Sequence, residues 1–251
     1  MVTSYDDPVD LARLVAGRPR PLLVGLDVDG VLAPIVGHAD DAVLLPGIAE
    51  ALAAVAKLAD VDLAVVSGRS LAGLEQFGFD ADVHVIGSHG AETRDVTMSP
   101  LDAREGLVLE ALDDAAVAAA ARAGVGAWIE RKPASVVLHV RQADDADGLL
   151  AIAALIDAVG SIDGASTKLG SGVLESFARR ADKGTALVEL GRRLGVATTV
   201  FVGDDVTDEE AFARLGADDV TIKVGPADTI AAHRLCDPAA VLAWLSAVHV
   251  Q

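Results

Sequence analysis

Aromatic side chains make up only 3% of this chain. Ring stacking therefore cannot build its interior, and the core has to come from the Ala, Val and Leu that dominate a 52% hydrophobic composition. Closely packed layers of helix and sheet suit such side chains. Cysteine occurs once, as Cys236, which excludes an intrachain disulfide and any cysteine-based structural zinc site and points to a cytosolic home. No apolar run approaches the ~20 residues of a membrane helix. The first ten residues carry acid and proline where a signal peptide would have a basic start and an apolar core, so a soluble, cytoplasmic protein is expected. Bases are scarce as well: 20 Lys and Arg stand against 38 Asp and Glu, a net charge of −18. That field repels nucleic acid and anionic membrane, and it admits an anionic small molecule only where a cation reverses it locally. Internal repeats and low-complexity segments are missing too. At 251 residues there is room for one large domain or for a core with a smaller companion.

What is present is organised around Leu22-Leu23-Val24-Gly25-Leu26-Asp27-Val28-Asp29-Gly30, an apolar run that stops on two carboxylates. Its shortness, between Pro21 and Gly30, predicts a parallel strand buried on both faces. In open α/β sheets ligands gather beyond the carboxyl ends of strands, which makes Asp27 and Asp29 the first candidates for chemistry. On this stretch alone, a tight turn at Asp29-Gly30 explains the same letters equally well.

Taken in order, the chain has a helical lead-in around Leu11–Val15, then the first strand, a loop over 31–45, and a helix from Pro46-Gly47 to about Ala59. A second strand, Leu63–Val66, ends on Ser67-Gly68-Arg69-Ser70, where Ser70 also reads as an ordinary N-cap. A third, Val83–Ile86, ends on Gly87-Ser88-His89-Gly90-Ala91-Glu92. This alternation predicts a right-handed parallel sheet. Near Pro100 the rhythm changes to helix (Glu105–Ala123), two strands (Ala127–Glu130, Ser135–Val140), helix (Ala146–Val159) and two strands (Ala165–Leu169, Gly172–Phe177), an inserted antiparallel sheet with helices on one face. Charged groups sit at its tips and strand ends, including Glu130, Lys132, Arg141 and Glu175. Such tips are ordinarily just solvated. The parallel rhythm returns with a helix from Asp182-Lys183-Gly184 to Leu194 and a strand Thr199–Val202. That strand ends on Gly203-Asp204-Asp205-Val206-Thr207-Asp208-Glu209-Glu210, where four carboxylates within six residues strain a helix start unless a cation sits nearby. A strand Val220–Val224 and helices over Ala227–Leu235 and Pro238–Val248 close the chain. His84, His233, His249 and Cys236 read as structural positions.

Asp-x-Asp, then Ser, then Lys, then Gly-Asp-Asp-x-x-x-Asp, each at a strand end or helix start and with an insert between the second and third, resembles the haloacid dehalogenase superfamily of phosphotransferases over essentially the whole chain. The resemblance implies an α/β fold with a doubly wound, Rossmann-like parallel core (residues 1–99 and 178–251) and an inserted α+β cap of the second type (100–177). It also implies roles. Asp27 is the nucleophile that becomes an aspartyl phosphate, and Asp29 is the acid that protonates the leaving oxygen and then activates water. Ser67 and Lys183 bind phosphate oxygens, and Asp208 holds Lys183. Mg²⁺ sits on Asp27, Asp204 and the backbone carbonyl of Asp29. The chemistry accords with these residue types, because a phosphomonoester must be neutralised before an anion can attack it. Many relatives carry Thr where Val31 stands here, yet activity is expected.

Four stretches are similar to the trehalose-6-phosphate phosphatase family: 203–212, 87–92, Glu130-Arg131-Lys132-Pro133 with His139-Val140-Arg141, and Glu175 ahead of Asp182-Lys183-Gly184. The implied activity is hydrolysis of trehalose 6-phosphate. Gly30, Gly68, Arg69, His89, Glu130, Lys132, Arg141 and Glu175 are the expected substrate contacts, and the partner is a small phosphorylated disaccharide met by a monomer. The alternatives are a phosphatase for sucrose phosphate or a glycosyl-glycerate phosphate, and a non-catalytic phosphosugar binder that regulates a synthase.

Overall fold

The computed structural model describes residues 4–94, 101–170, 172–179 and 182–250, the last two of them by backbone only. The boundary expected at 99–100 and the side chain of His249 therefore lie outside the described residues. The chain divides into two compact units, Met1–Thr97 with Asp182–Gln251, and Met98–Ala181.

In the first unit a helix α1 (Pro8–Ala16) leads to β1 (Leu22–Leu26), α2 (Ile48–Val55), β2 (Val61–Val66), a single-turn helix α3 (Leu71–Leu74), β3 (Val83–Gly87) and a two-residue strand β4 (Glu92–Thr93). After the second unit come α6 (Lys183–Leu194), β9 (Thr198–Gly203), α7 (Val206–Arg214), β10 (Val220–Val224), β11 (His233–Leu235) and α8 (Pro238–Val250). The seven strands lie in the order β11-β10-β9-β1-β2-β3-β4, parallel except for β4 at the edge. All five residues of β1 are buried, as a central parallel strand covered by helices requires. Leu22, Val24 and Leu26 face a cluster with Leu11, Ile48 and Trp244, whereas Leu23 faces Leu187, Leu190 and Phe201 on the other side. Gly25 is needed for this second packing, since a Cβ there would stand 2.6 Å from Leu187 Cδ2. From β1 the chain winds outward through β2 and β3, and later returns to build β9, β10 and β11 on the opposite side of β1. The order of the sheet thus reverses between β1 and β9, where a crevice opens beyond the strand ends.

One expected element is absent. Residues 227–232 are not helical, and His233–Leu235 forms β11, paired with Ile222–Val224. Gly225 and Pro226 lie just before this stretch, and the open edge of β10 offers backbone partners to His233–Leu235. Helix α2 stops at Val55, short of Ala59, and a 3-10 turn, Ala39–Asp41, interrupts the loop before it.

The second unit contains α4 (Ala103–Ala123), β5 (Trp128–Arg131), β6 (Ser135–His139), α5 (Asp145–Gly160), β7 (Ser166–Gly170) and β8 (Val173–Phe177). The strands form an antiparallel sheet in the order β5-β6-β8-β7. Val136, Leu138 and Leu174 pack against Leu112 and Ala116 of α4 and Ile152 and Leu155 of α5. Strand alternation turns Trp128, Glu130, Val137, His139 and Glu175 to the face away from these helices. Among the described residues no helix is long and apolar enough to cross a membrane.

Candidate active site

Asp27 directly follows β1 and continues its pairing, its N–H donating to the Val202 carbonyl at 3.0 Å. Its carboxylate is buried: Oδ1 accepts from the Val28 N–H at 2.7 Å and Oδ2 from Lys183 Nζ at 2.6 Å. Lys183 opens α6, whose N-cap Asp182 accepts from the Thr185 N–H at 2.8 Å and is gripped by Arg214 through Nε (2.8 Å) and Nη2 (3.0 Å). The cap fixes where the first turn begins, and therefore where the ammonium lands. Lys183 Nζ also donates to Asp208 Oδ1 at 2.8 Å. The other oxygen of Asp208 accepts from the Asp204 and Asp205 N–H groups at 2.8 and 3.0 Å, while Asp205 and Asp208 together cap α7. A loop of consecutive acids is thus held by its own amides. Two glycines let it close: a Cβ on Gly30, at φ +80°, would meet Asp204 Oδ2 at 2.0 Å, and one on Gly203 would meet Asp208 Cγ at 2.3 Å.

Charge is not balanced here. Burial works against the Lys183 ammonium, but Asp27 and Asp208 outweigh it and hold it protonated. Burial is also the main force lifting Asp27 well above the usual carboxylate range; Lys183 opposes it and Asp208 adds to it. Asp204 is pushed up to about 7 by burial, then by Asp208 and Asp205. Ligand oxygens of Asp27, Asp204 and Asp208 lie within 4.8 Å of one another. Hard oxygen donors carrying more negative charge than one lysine neutralises fit a small divalent cation. Asp208 already accepts three hydrogen bonds, from Lys183 and two loop amides, against two at Asp27, from Lys183 and the Val28 amide.

The remaining expected residues divide into groups. Ser67 is buried after β2, its Oγ accepting from the Arg69 N–H at 3.2 Å. His89 sits in a backbone arch where Ser88, His89 and Gly90 all have positive φ (48°, 56° and 108°). The arch is fastened to the Ser67 loop through Ser88 N–H to Arg69 O (2.7 Å) and His89 N–H to Ser67 O (2.9 Å), and a Cβ on Gly68 would strike the His89 ring at 2.5 Å. The Asp29 carboxylate lies outside the buried cluster, in the fork of Arg69, whose Nε and Nη2 each donate to it at 2.7 Å while Nη1 donates to the Ala39 carbonyl. In the second unit, Glu175 accepts from Lys132 Nζ (3.1 Å) and Ser135 Oγ (2.7 Å), and Glu130 meets His139 Nε2 at 3.0 Å. Arg141 is exposed, its Cγ lying across Gly172.

Sequence reasoning assigned no role to three groups. Lys223, buried on β10, reaches Glu209 at 3.3 Å and the Asp205 carbonyl at 3.4 Å. Glu92 ties the arch to α3 by accepting from Ser88 Oγ (3.0 Å) and the Leu71 N–H (2.7 Å). His139 orients Glu130. A lysine inside an otherwise apolar strand was a visible signal for the first, since buried lysines are almost always paired. A cavity of 470 Å³ opens beside Gly30 and Asp204, walled by Pro34, Ile35, Leu45, Val224 and Cys236.

The family model described as trehalose-phosphatase matches residues 25–234. The chain belongs to the trehalose-phosphatase family. A trehalose-6-phosphate phosphatase of Escherichia coli is 31% identical over 228 residues, covering 88% of this chain and 84% of that protein. An uncharacterized glycosyl hydrolase of Mycobacterium tuberculosis is 37% identical over 215 residues, 80% of this chain, yet the match spans only 16% of that protein's length. The structure of an Aspergillus fumigatus trehalose-6-phosphate phosphatase superposes with a TM-score of 0.72 over 99% of both chains at 22% identity, a likeness of fold. That fold is the haloacid dehalogenase core with an antiparallel insert.

Proposed function

We propose that the protein is a Mg²⁺-dependent phosphatase that hydrolyses trehalose 6-phosphate to trehalose and phosphate. The observation that carries this reading is Lys183, buried between Asp27 and Asp208 with Asp204 beside them, because a site that only binds phosphosugar has no need of a buried carboxylate in attacking position. In this reading an Asp27 oxygen attacks phosphorus, the bond from phosphorus to the sugar oxygen breaks, and Asp29 gives that oxygen its proton. Asp29 then takes a proton from the water that cleaves the aspartyl phosphate. Both Asp29 oxygens accept from Arg69, so turnover requires Arg69 to release one of them. Ser67 and Lys183 hold phosphate oxygens, and Asp208 positions Lys183. Asp27, Asp204 and the Asp29 backbone carbonyl would hold Mg²⁺, which neutralises phosphate charge when bound. Gly30, Gly68, Arg69 and His89 shape the phosphate end of the substrate. Glu130, Lys132, Arg141 and Glu175 select the sugar in the inserted unit. We further place the protein in the cytoplasm, a reading supported by its single cysteine, and read it as a monomer.

The test is phosphate release from a panel of sugar phosphates with and without Mg²⁺. Trehalose 6-phosphate should be hydrolysed with the highest kcat/KM, and only with the metal. A preference for sucrose phosphate or a glycosyl-glycerate phosphate would replace the substrate. Binding without release from any of them would replace the enzyme with a regulator.

A further inference from the structure

The chain has two tryptophans. Trp244 is completely buried, whereas Trp128 is 49% exposed, in a protein that can spare few aromatic rings. Trp128 begins β5, directly across from His139 on β6. The two rings lie 3.7 Å apart at 4° to one another, so His139 covers one face of the indole. Because β5 is an outer strand, the other face looks off the edge of the sheet. Nε2 of the same His139 meets Glu130 Oε2 at 3.0 Å. Two residues along β5, Glu130 stands in register with Val137 and Glu175 on the helix-free face, where Glu175 is already fixed by Lys132 and Ser135. One face of the sheet therefore presents a row of oriented carboxylates with a rigid, half-exposed indole at its margin. A pyranose presents hydroxyls around its rim and a patch of C–H groups on each ring face. Carboxylates accept from the former and an aromatic face packs on the latter.

We propose that Trp128, held by His139, is the stacking platform for a pyranose ring, and that it sets the preference for a disaccharide phosphate over smaller phosphate esters. Cross-strand pairing alone accounts for the contact with His139, but not for an indole that keeps half its surface in water. The proposal rests on the sugar-phosphatase reading above and adds a residue and a contact type to it.

The two-tryptophan content supplies a direct readout. In the Asp27→Asn protein, titration with trehalose 6-phosphate should change tryptophan emission saturably, inorganic phosphate should not, and Trp128→Leu should abolish the change, leaving the buried Trp244 as a constant background. In otherwise wild-type protein, Trp128→Leu should raise KM for trehalose 6-phosphate roughly tenfold. It should leave kcat and the hydrolysis of p-nitrophenyl phosphate within about twofold, and Trp128→Phe should restore most of the affinity. An unchanged KM in Trp128→Leu, or emission that ignores the sugar phosphate, would overturn the platform while leaving the enzyme reading intact. Equal losses on both substrates would overturn it as well, as a sign of a structural role. If the wild-type protein hydrolyses a different sugar phosphate, the substrate reading falls, and the same titration with that sugar decides the platform: emission lost with Trp128→Leu supports it, emission unchanged rejects it.

Discussion

The two units each gather lysine and carboxylates, and they do so in opposite ways. In the first, Lys183 and Asp208 are at most 2% exposed in their side chains and Asp27 is 7% exposed, so that two carboxylates flank one ammonium with the half-buried Asp204 beside them. In the second, Lys132 pairs with Glu175 and His139 with Glu130, with side chains 12–13% and 20–35% exposed. The first cluster is largely buried and acid outnumbers base in it, an arrangement that raises the proton affinity of Asp27 and Asp204 and that a bound cation would relieve. The second is already paired and still reaches water, which leaves its oxygens able to exchange solvent for neutral hydroxyls. Local charge balance and solvent access separate a place that handles a charged phosphoryl group from one that recognises an uncharged sugar.

If that contrast is right, the first cluster should be unforgiving. Asp27→Asn removes the nucleophile and should cut turnover by roughly three orders of magnitude or more on every substrate, measured as steady-state phosphate release. Appreciable residual hydrolysis would remove Asp27 from its role. Lys183→Met leaves Asp27 and Asp208 as neighbouring buried carboxylates without their cation. In metal-free protein it should cost about 3–5 kcal/mol in urea unfolding. The double variant Lys183→Met, Asp208→Asn should recover part of that loss, because one buried charge has been removed with its partner. A Lys183→Met protein as stable as wild type would mean that the cluster is far wetter than its burial implies.

The members of both clusters were legible in the sequence, and most of their pairing was not. Asp27, Lys183, Asp204 and Asp208 sit at strand ends or helix starts, where local pattern predicts the element and the resemblance to the haloacid dehalogenase superfamily singles out the group. Strands β1 and β10 were readable as short apolar runs between breakers. What pairs with what is another matter. That Arg69 grips Asp29, 40 residues away, or that His139 orients Glu130 and stacks on Trp128, follows from loop paths and strand register, neither of which a short pattern encodes. Residues 227–235 read as a helix because their alanines satisfy a helical pattern, while the open edge of β10 that claims His233–Leu235 exists only once the sheet is assembled.

The second cluster should fail selectively. Glu175→Ala takes away the acceptor that Lys132 and Ser135 both use, and Glu130→Ala the one that His139 orients. Each should lower kcat/KM for trehalose 6-phosphate roughly tenfold to a hundredfold, from ~1.5–3 kcal/mol of charged hydrogen bonding, and barely change hydrolysis of a small aryl phosphate. Equal losses on both substrates would erase the distinction between the clusters, and no loss on either would leave these carboxylates as solvated surface.

The smallest expected effect lies in a carboxylate of the second unit that has no part in recognition. Glu105 closes the capping box of α4, accepting from the Asp102 N–H at 2.9 Å while Asp102 accepts from the Glu105 N–H at 2.8 Å, and Arg179 Nε donates to it at 2.7 Å. Arg179 first and the Asp102 amide second lower its pKa from 4.5 to about 2. A carboxylate that is more acidic folded than unfolded adds stability that is present in full above its unfolded pKa and drains away as pH falls through its folded one. Glu105→Gln should therefore destabilise the protein by about 1 kcal/mol near neutral pH, the ordinary worth of a cap. The gap between variant and wild type should stay constant above pH ~5 and close between pH ~4.5 and ~2. Kinetics on either substrate should not move. A gap independent of pH would show that Glu105 acts through shape alone, and a change in kcat/KM would mean that the end of α4 contributes to the site.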